Sequence, residues 1–257
     1  MSAAEPFPPD PSNPTPDRPP PRPRELPRRA ELSPASVEPH VFLDRLRPLL
    51  PERNLDAIAD ALTDMGGAGR IVPLLQAPDA DVRKVAALAL SLVGDRECLD
   101  PLTSLLRQRD PIINQMAEHA LWSIWFRLGT DAANRSLARG AEAMNDLDYP
   151  AAEAQFTTAI ERCPTFAEAY NQRAIVRHLV GHSDASAADS RQAVRLMPEH
   201  FGAWAGLGHC HTEGDRFAEA AHCYRRALRI NPHLASVREM LDELEALDFG
   251  TDGDDVT

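Results

Sequence analysis

The chain has 257 residues, with 27 Lys or Arg against 39 Asp or Glu, so its formal net charge is −12. This acidic surplus disfavours binding to nucleic acid or to an anionic membrane surface, because both tasks require an excess of cations. No apolar run approaches the roughly 20 residues that a membrane-spanning helix requires.

The first 39 residues hold 13 of the 23 prolines and a single aromatic residue, Phe7. Such a segment has too little apolar surface to offset the entropy of ordering, so residues 1–39 are predicted to be a disordered tail with polyproline II character. Its arginine-flanked proline run over residues 18–24 is also of the kind that aromatic grooves bind, and this alternative stays open. Because no apolar stretch follows a basic start, the sequence predicts no signal peptide and a cytoplasmic location.

The pattern from His40 onward is helical. The sequence predicts a short helix over residues 41–47. Residues 54–65 carry an apolar stripe at helical spacing, which predicts a second helix that ends at Gly66 and Gly67. No stretch alternates with the period of a strand, so the predicted fold class is all-α.

A first internal repeat has a period of about 31 residues. Each unit has a Leu-Leu pair, an Asp-bearing turn and a longer Ala/Leu helix, and Asp79-x-x-Val-Arg83 aligns with Asp110-x-x-Ile-Asn114. The pattern resembles the HEAT-like repeats named for phycobilisome lyases, and residues 40–130 are assigned to such an array. The resemblance implies that Asp79 or Asp81 caps the longer helix and that Arg83 reaches the neighbouring repeat. Repeated arginines at this position would form a ladder along the array, and Asn114 interrupts it in the second unit.

Residues 112–128, at the end of this array, are apolar on all sides and include Trp122 and Trp125. A helix with this pattern is usually buried, so we predict that it lies between two helical arrays. A ligand site built on the two tryptophans is the alternative.

A second repeat, with a period of 34 residues, is marked by Pro164, Pro198 and Pro232. Small residues recur at the same spacing, and so do aromatic residues such as Phe156 and Tyr224. The pattern resembles the bacterial type of tetratricopeptide repeat, in three copies over residues 131–232. A capping helix over 233–247 and an acidic tail over 248–257 complete the predicted α-solenoid.

The resemblance implies that the small residues at 140, 174 and 208 let the two helices of each hairpin approach closely. Arg139 and Arg173 occupy the position that Leu207 holds in the third copy. We expect Arg173 to pair with Asp189 on its partner helix.

In tetratricopeptide proteins the first helix of each hairpin has one face toward its partner helix, and the opposite face lines a concave groove. Helical phase and the 34-residue offset place twelve residues there: Asn134, Ala138, Ala141, Asn145, Glu168, Gln172, Ile175, Leu179, Gly202, Gly206, His209 and Glu213. None is Lys or Arg, although the cochaperones that hold the acidic tails of Hsp70 and Hsp90 need such cations. A helical or extended protein segment, neutral or basic rather than acidic, is the predicted partner. The alternative is that these residues are ordinary solvent-facing positions.

Zinc ligands are suggested by His209-Cys210-His211 and by His222-Cys223. Helical phase directs His211 toward the partner helix and His209 away from it, so no metal and no cofactor are predicted. The chain also lacks the motifs of hydrolases and of phosphate-binding loops.

The sequence therefore predicts a non-catalytic interaction scaffold. Two alternatives stay open. One is an accessory subunit or enzyme of the HEAT-repeat lyase or metal-dependent type, and the other is a hub whose active ligand is the proline-rich tail.

Overall fold

The computed structural model describes residues 36–49, 51 and 54–250, and the side chains of these residues up to 246. Every regular element in these ranges is helical, which confirms the all-α prediction. The predicted proline-rich tail up to residue 35 and the predicted acidic tail from residue 251 lie outside the described residues. The α-helices are α1 (Pro39–Leu46), α2 (Leu55–Asp64), α3 (Ala68–Ile71), α4 (Ala80–Val93), α5 (Leu99–Leu105), α6 (Pro111–Trp125), α7 (Asp131–Asn145), α8 (Tyr149–Arg162), α9 (Ala167–Leu179), α10 (Ser183–Leu196), α11 (Phe201–Glu213), α12 (Phe217–Ile230) and α13 (Ala235–Gly250).

The folded region begins before the predicted end of the tail. Val37 is only 6% exposed, and its backbone N–H donates to the carbonyl oxygen of Arg70 at 3.3 Å. Since α1 starts at Pro39, residues 37–39 belong to the packed unit rather than to the tail. At the other end, α13 continues to Gly250, three residues beyond the predicted capping helix.

The HEAT-like units have the predicted order of a short element, an Asp-bearing turn and a long helix. In each unit a 3₁₀ segment forms part of the short element, Val72–Gln76 before α4 and Arg96–Cys98 before α5. The Asp79 carboxylate accepts the N–H of Asp81 at 2.8 Å, so Asp79 is the cap of α4. Asp110 caps α6 in the same way. These side chains satisfy backbone donors that have no partner within the helix.

Arg83 does not reach the neighbouring repeat. Its guanidinium donates to the carbonyl oxygen of Ala77 at 2.7 Å, within its own unit. Asn114 makes the equivalent contact six residues back, to the carbonyl of Gln108 at 3.0 Å. An ion pair between the two units is made instead by Lys84, whose ammonium lies 3.4 Å from a carboxylate oxygen of Asp110.

The tetratricopeptide region consists of the hairpins α7/α8, α9/α10 and α11/α12, and α13 packs on α12. Its 34-residue period extends to the backbone, because the turn inside each hairpin holds one residue with positive φ. These residues are Leu147 at 59°, Gly181 at 80° and Asp215 at 54°. A left-handed residue at this point ends the first helix and reverses the chain.

Within the first hairpin, and again within the third, an aromatic ring of one helix packs closely against a glycine of the other. A Cβ atom at Gly140 would lie 2.3 Å from Phe156, and a Cβ at Gly208 would lie 2.3 Å from Tyr224. Neither ring could keep its position if its glycine were replaced.

Gly208→Ala is expected to lower the free energy of unfolding by about 1–3 kcal/mol through overpacking against Tyr224. Gly206→Ala, two residues away on α11, is the matched control, since its new Cβ would have 3.7 Å to its nearest neighbour, the Ser190 hydroxyl. There the gain in helix propensity leaves stability unchanged or raises it by up to about 1 kcal/mol. Urea unfolding measures both variants, and equal effects would contradict the packing argument.

Candidate functional site

Helix α6 packs against the start of α11. The indole of Trp125 stacks on the His200 imidazole with ring centroids 4.1 Å apart, and Trp122 meets Phe201 edge-on at 5.7 Å. Trp125 is buried, which confirms the predicted junction helix. The Gly202 backbone lies so close that an added Cβ would be 2.7 Å from the Trp122 ring.

A buried carboxylate lies at this junction. Glu168 is 1% exposed, and its Oε2 is 2.6 Å from Nε2 of His200. Nδ1 of His200 accepts the N–H of Ala203 at 3.1 Å, so Nε2 carries the proton that is donated to Glu168. The other carboxylate oxygen accepts from Gln172 at 2.6 Å and from Asn171 at 3.4 Å. These donors compensate for the loss of water around the charge.

Several of the twelve predicted groove residues are engaged by the chain itself. Glu168 is buried, Gln172 donates to it, and a Cβ at Gly202 would meet the Trp122 ring. Asn134 bonds to the preceding loop, donating to the carbonyl of Arg127 and accepting the N–H of Gly129, both at 3.0 Å. Helical phase alone gives no sign of these contacts.

Apart from Glu168, Gly202 and Asn134, the predicted groove residues lie on α7, α9 and α11, and we call these nine the open face. Its members are Ala138, Ala141, Asn145, Gln172, Ile175, Leu179, Gly206, His209 and Glu213. Two apolar side chains are accessible on it, Ile175 at 37% and Leu179 at 53%. Burial lowers the pKa of the His209 imidazole, with a further contribution from His178, so His209 is neutral at physiological pH.

A pocket of about 200 Å³ opens between α9, α10 and α11, and Ile175, Leu179, Gly206 and His209 of the open face lie at it. The helices α9 and α10 supply the rest of the lining: Asn171, Ala174, His178, Ser186 and Ser190. A second hollow, of about 450 Å³, lies in the HEAT-like region, lined largely by apolar residues that include Leu55 and Leu88.

The predicted pairing of Arg173 with Asp189 is present. The guanidinium donates to both carboxylate oxygens at 2.8 Å, and it also donates to the Thr157 hydroxyl at 3.1 Å. Arg177 bonds to Asp189 at 2.9 Å and to Glu153 at 2.7 Å. This network connects α8, α9 and α10 beside the pocket and restricts their relative movement.

The histidines and cysteines of the third copy do not converge on one point. His209 contacts the Tyr224 hydroxyl at 2.9 Å, Cys210 contacts the Ser186 hydroxyl at 3.2 Å, and His211 accepts from Arg216 at 2.9 Å. Burial raises the pKa of the Cys223 thiol to about 11, which disfavours the thiolate that zinc requires. Among residues 36–49, 51 and 54–250, no three His, Cys, Asp or Glu side chains are grouped to hold a metal ion.

Comparison with known proteins agrees with the two repeat patterns. The family model of HEAT repeats matches residues 69–155, and that of the tetratricopeptide repeat matches residues 202–234. The first match extends into α8, past the predicted boundary at residue 130, which stays a prediction.

Two relatives contain tetratricopeptide repeats. A small glutamine-rich tetratricopeptide repeat-containing protein of Mycosarcoma maydis is 30% identical over 100 residues, which are 39% of this chain and 28% of the relative. A TPR repeat-containing protein of the bacterium Rhizobium etli is 26% identical over 150 residues, 58% of this chain and 74% of the relative. This chain thus spans under a third of the first relative's length.

Among solved structures, the first TPR of Spaghetti (RPAP3), bound to the HSP90 peptide SRMEEVD, is 18% identical, with a TM-score of 0.45. It matches 46% of this chain and 94% of that one.

The molecule is a helical-repeat protein in which tetratricopeptide repeats follow a HEAT-repeat region. Throughout the part of the chain that the structure describes, every helix is too short or too polar to cross a membrane.

Arg173→Leu is expected to destabilise the protein by about 1–3 kcal/mol, because the buried Asp189 loses one of its two arginine partners. The control is Arg225→Leu, which removes a half-exposed pair with Glu245 and should cost about 0–1 kcal/mol. Thermal and urea unfolding compare the two variants. If Arg173→Leu were as stable as the unaltered protein or more so, the pair would make no net contribution.

Proposed function

We propose that this protein is a non-catalytic interaction adaptor that binds a helical or extended segment of a protein partner along the open face. The observation that carries the proposal is the accessible pair Ile175 and Leu179 on α9, beside a pocket in a framework of packed helices. Exposed apolar side chains next to a concavity are typical of sites that bind another chain.

The rigidity of this face supports binding. The ion-pair network of Arg173, Arg177 and Asp189 holds α9 against its neighbours, so little conformational entropy is lost when a partner binds. Apolar anchors on one side of a partner segment would then supply most of the affinity.

The charge of the face indicates the kind of partner. None of its nine residues is Lys or Arg, and Glu213 adds a carboxylate at the end of α11. A neutral or basic segment is therefore favoured over an acidic one, since like charges near an interface lower both affinity and association rate.

Ile175→Glu/Leu179→Glu should abolish partner capture, because two carboxylates would replace the apolar anchors. Affinity purification from a lysate of the source cells, with the unaltered protein alongside, measures this. Leu88→Glu is the matched control, an exposed leucine in the hollow of the HEAT-like region. If the double variant and the unaltered protein captured the same proteins, the open face would not be the binding site.

The peptide SRMEEVD should show no saturable binding, because the open face offers no cation to its acidic residues and terminal carboxylate. Fluorescence anisotropy with a labelled peptide measures the affinity, and SRMQQVN, which lacks the three acidic side chains, serves as the comparison. Saturable binding of SRMEEVD that is stronger than that of SRMQQVN would contradict the predicted preference for neutral or basic partners.

A further inference from the structure

The pocket between α9, α10 and α11 exists because one core position differs among the three tetratricopeptide copies. At the 34-residue offset, Phe156 in the first copy and Tyr224 in the third correspond to Ser190 in the second. In the first and third copies the ring occupies the interior of the hairpin against a glycine. In the second copy both the ring and the glycine are missing, and Ala174 faces the space that a ring would fill.

The pocket is large enough for one aromatic side chain. Its volume of about 200 Å³ exceeds the roughly 150 Å³ of an apolar protein cavity that is known to bind benzene. Ile175 and Leu179 are exposed while Ser190 is 1% exposed, so a ring entering between the two apolar residues would reach toward the serine.

One polar group at this pocket lacks a hydrogen-bond partner among the residues that the structure describes, the hydroxyl of Ser190. Nδ1 of His178 is buried, and the Glu213 carboxylate lies 3.5 Å from it. In the third copy the hydroxyl of Tyr224 bonds to Thr212 at 3.1 Å, and His178 is the residue at the position of Thr212. Unpaired buried polar atoms are costly, so a ring that carries a hydroxyl suits the pocket better than a purely apolar ring.

We propose that this pocket receives one aromatic side chain of the bound partner segment, tyrosine in preference to phenylalanine. The inference rests on the proposed function, and it specifies which residue of the partner segment enters the pocket. The neighbouring residues of that segment are neutral or basic, since Glu213 lies beside the pocket and the open face has no Lys or Arg.

The decisive variant fills the pocket from within. Ala174→Gly/Ser190→Phe restores the pairing of glycine and ring seen at Gly140 and Phe156, so it should fold and be at least as stable as the unaltered protein. Ala174→Gly alone is the matched control, because it has the same glycine, keeps the Ser190 hydroxyl and leaves the pocket open.

Displayed random peptides are selected on the unaltered full chain and then measured on both variants. The selected peptides should share an aromatic residue, bind Ala174→Gly/Ser190→Phe at least about tenfold more weakly, and keep their affinity for the control within a few-fold. Where the shared aromatic residue is tyrosine, its replacement with phenylalanine should weaken binding about two- to tenfold, because one hydrogen bond is lost.

A second measurement does not depend on any variant. p-Cresol, which is the side chain of tyrosine, is titrated into the ¹⁵N-labelled full chain. Saturable shifts should centre on the amides of Ala174, Ser190 and Gly206, whereas toluene should bind more weakly. Absence of saturable shifts at these residues would overturn the proposal, whether or not the filled variant folds.

The outcomes separate the two proposals. Peptides that lack an aromatic residue, or that bind the filled variant as tightly as the unaltered protein, would overturn the anchor pocket while the adaptor function stands. If Ile175→Glu/Leu179→Glu also left every captured partner in place, the proposed function of the open face would fail as well.

Discussion

The stacking of Trp125 on His200 joins the HEAT-like region to the tetratricopeptide repeats, and much of the structure depends on this contact. It brings α6 against the N-terminal ends of α9 and α11, where Glu168 is enclosed with its hydrogen-bond donors. The HEAT-like region thus packs on the N-terminal end of α11 and limits how much of the first helices of the repeats is exposed.

The repeat pattern of the sequence was enough to predict the helices, the hairpins and the Arg173–Asp189 pair. Each of these depends on contacts within one unit or between adjacent units, and periodicity reports such contacts directly. The resemblance to HEAT-like repeats implied a cap at Asp79 or Asp81, and the cap is Asp79, whose carboxylate accepts from a backbone N–H two residues on.

The contacts that periodicity could not report are those between distant segments. Glu168 is bonded to His200 of the next copy, and no local feature of the sequence indicates that Trp125 of the HEAT-like region will stack on that imidazole. Arg83 shows a second limit. A long side chain has several acceptors within reach, and here the carbonyl of its own turn is used rather than the next repeat. The pocket, in contrast, was present in the sequence as Ser190 between Phe156 and Tyr224, but a missing ring is visible only when the copies are compared position by position.

The bonds between α6 and the C-terminal end of the described chain change how the molecule should unfold. The side chain of Asn114 bonds to His233 at 2.7 Å, and Glu118 accepts from Asn231 at 3.1 Å, so α6 holds the junction of α12 and α13. In an open solenoid each unit contacts only its neighbours, and the terminal units fray first. Here the last hairpin is fastened to a helix more than a hundred residues earlier, so loosening at the C-terminal end must also break contacts in the HEAT-like region. The array gains the cooperativity of a closed domain while keeping the surface of a repeat protein.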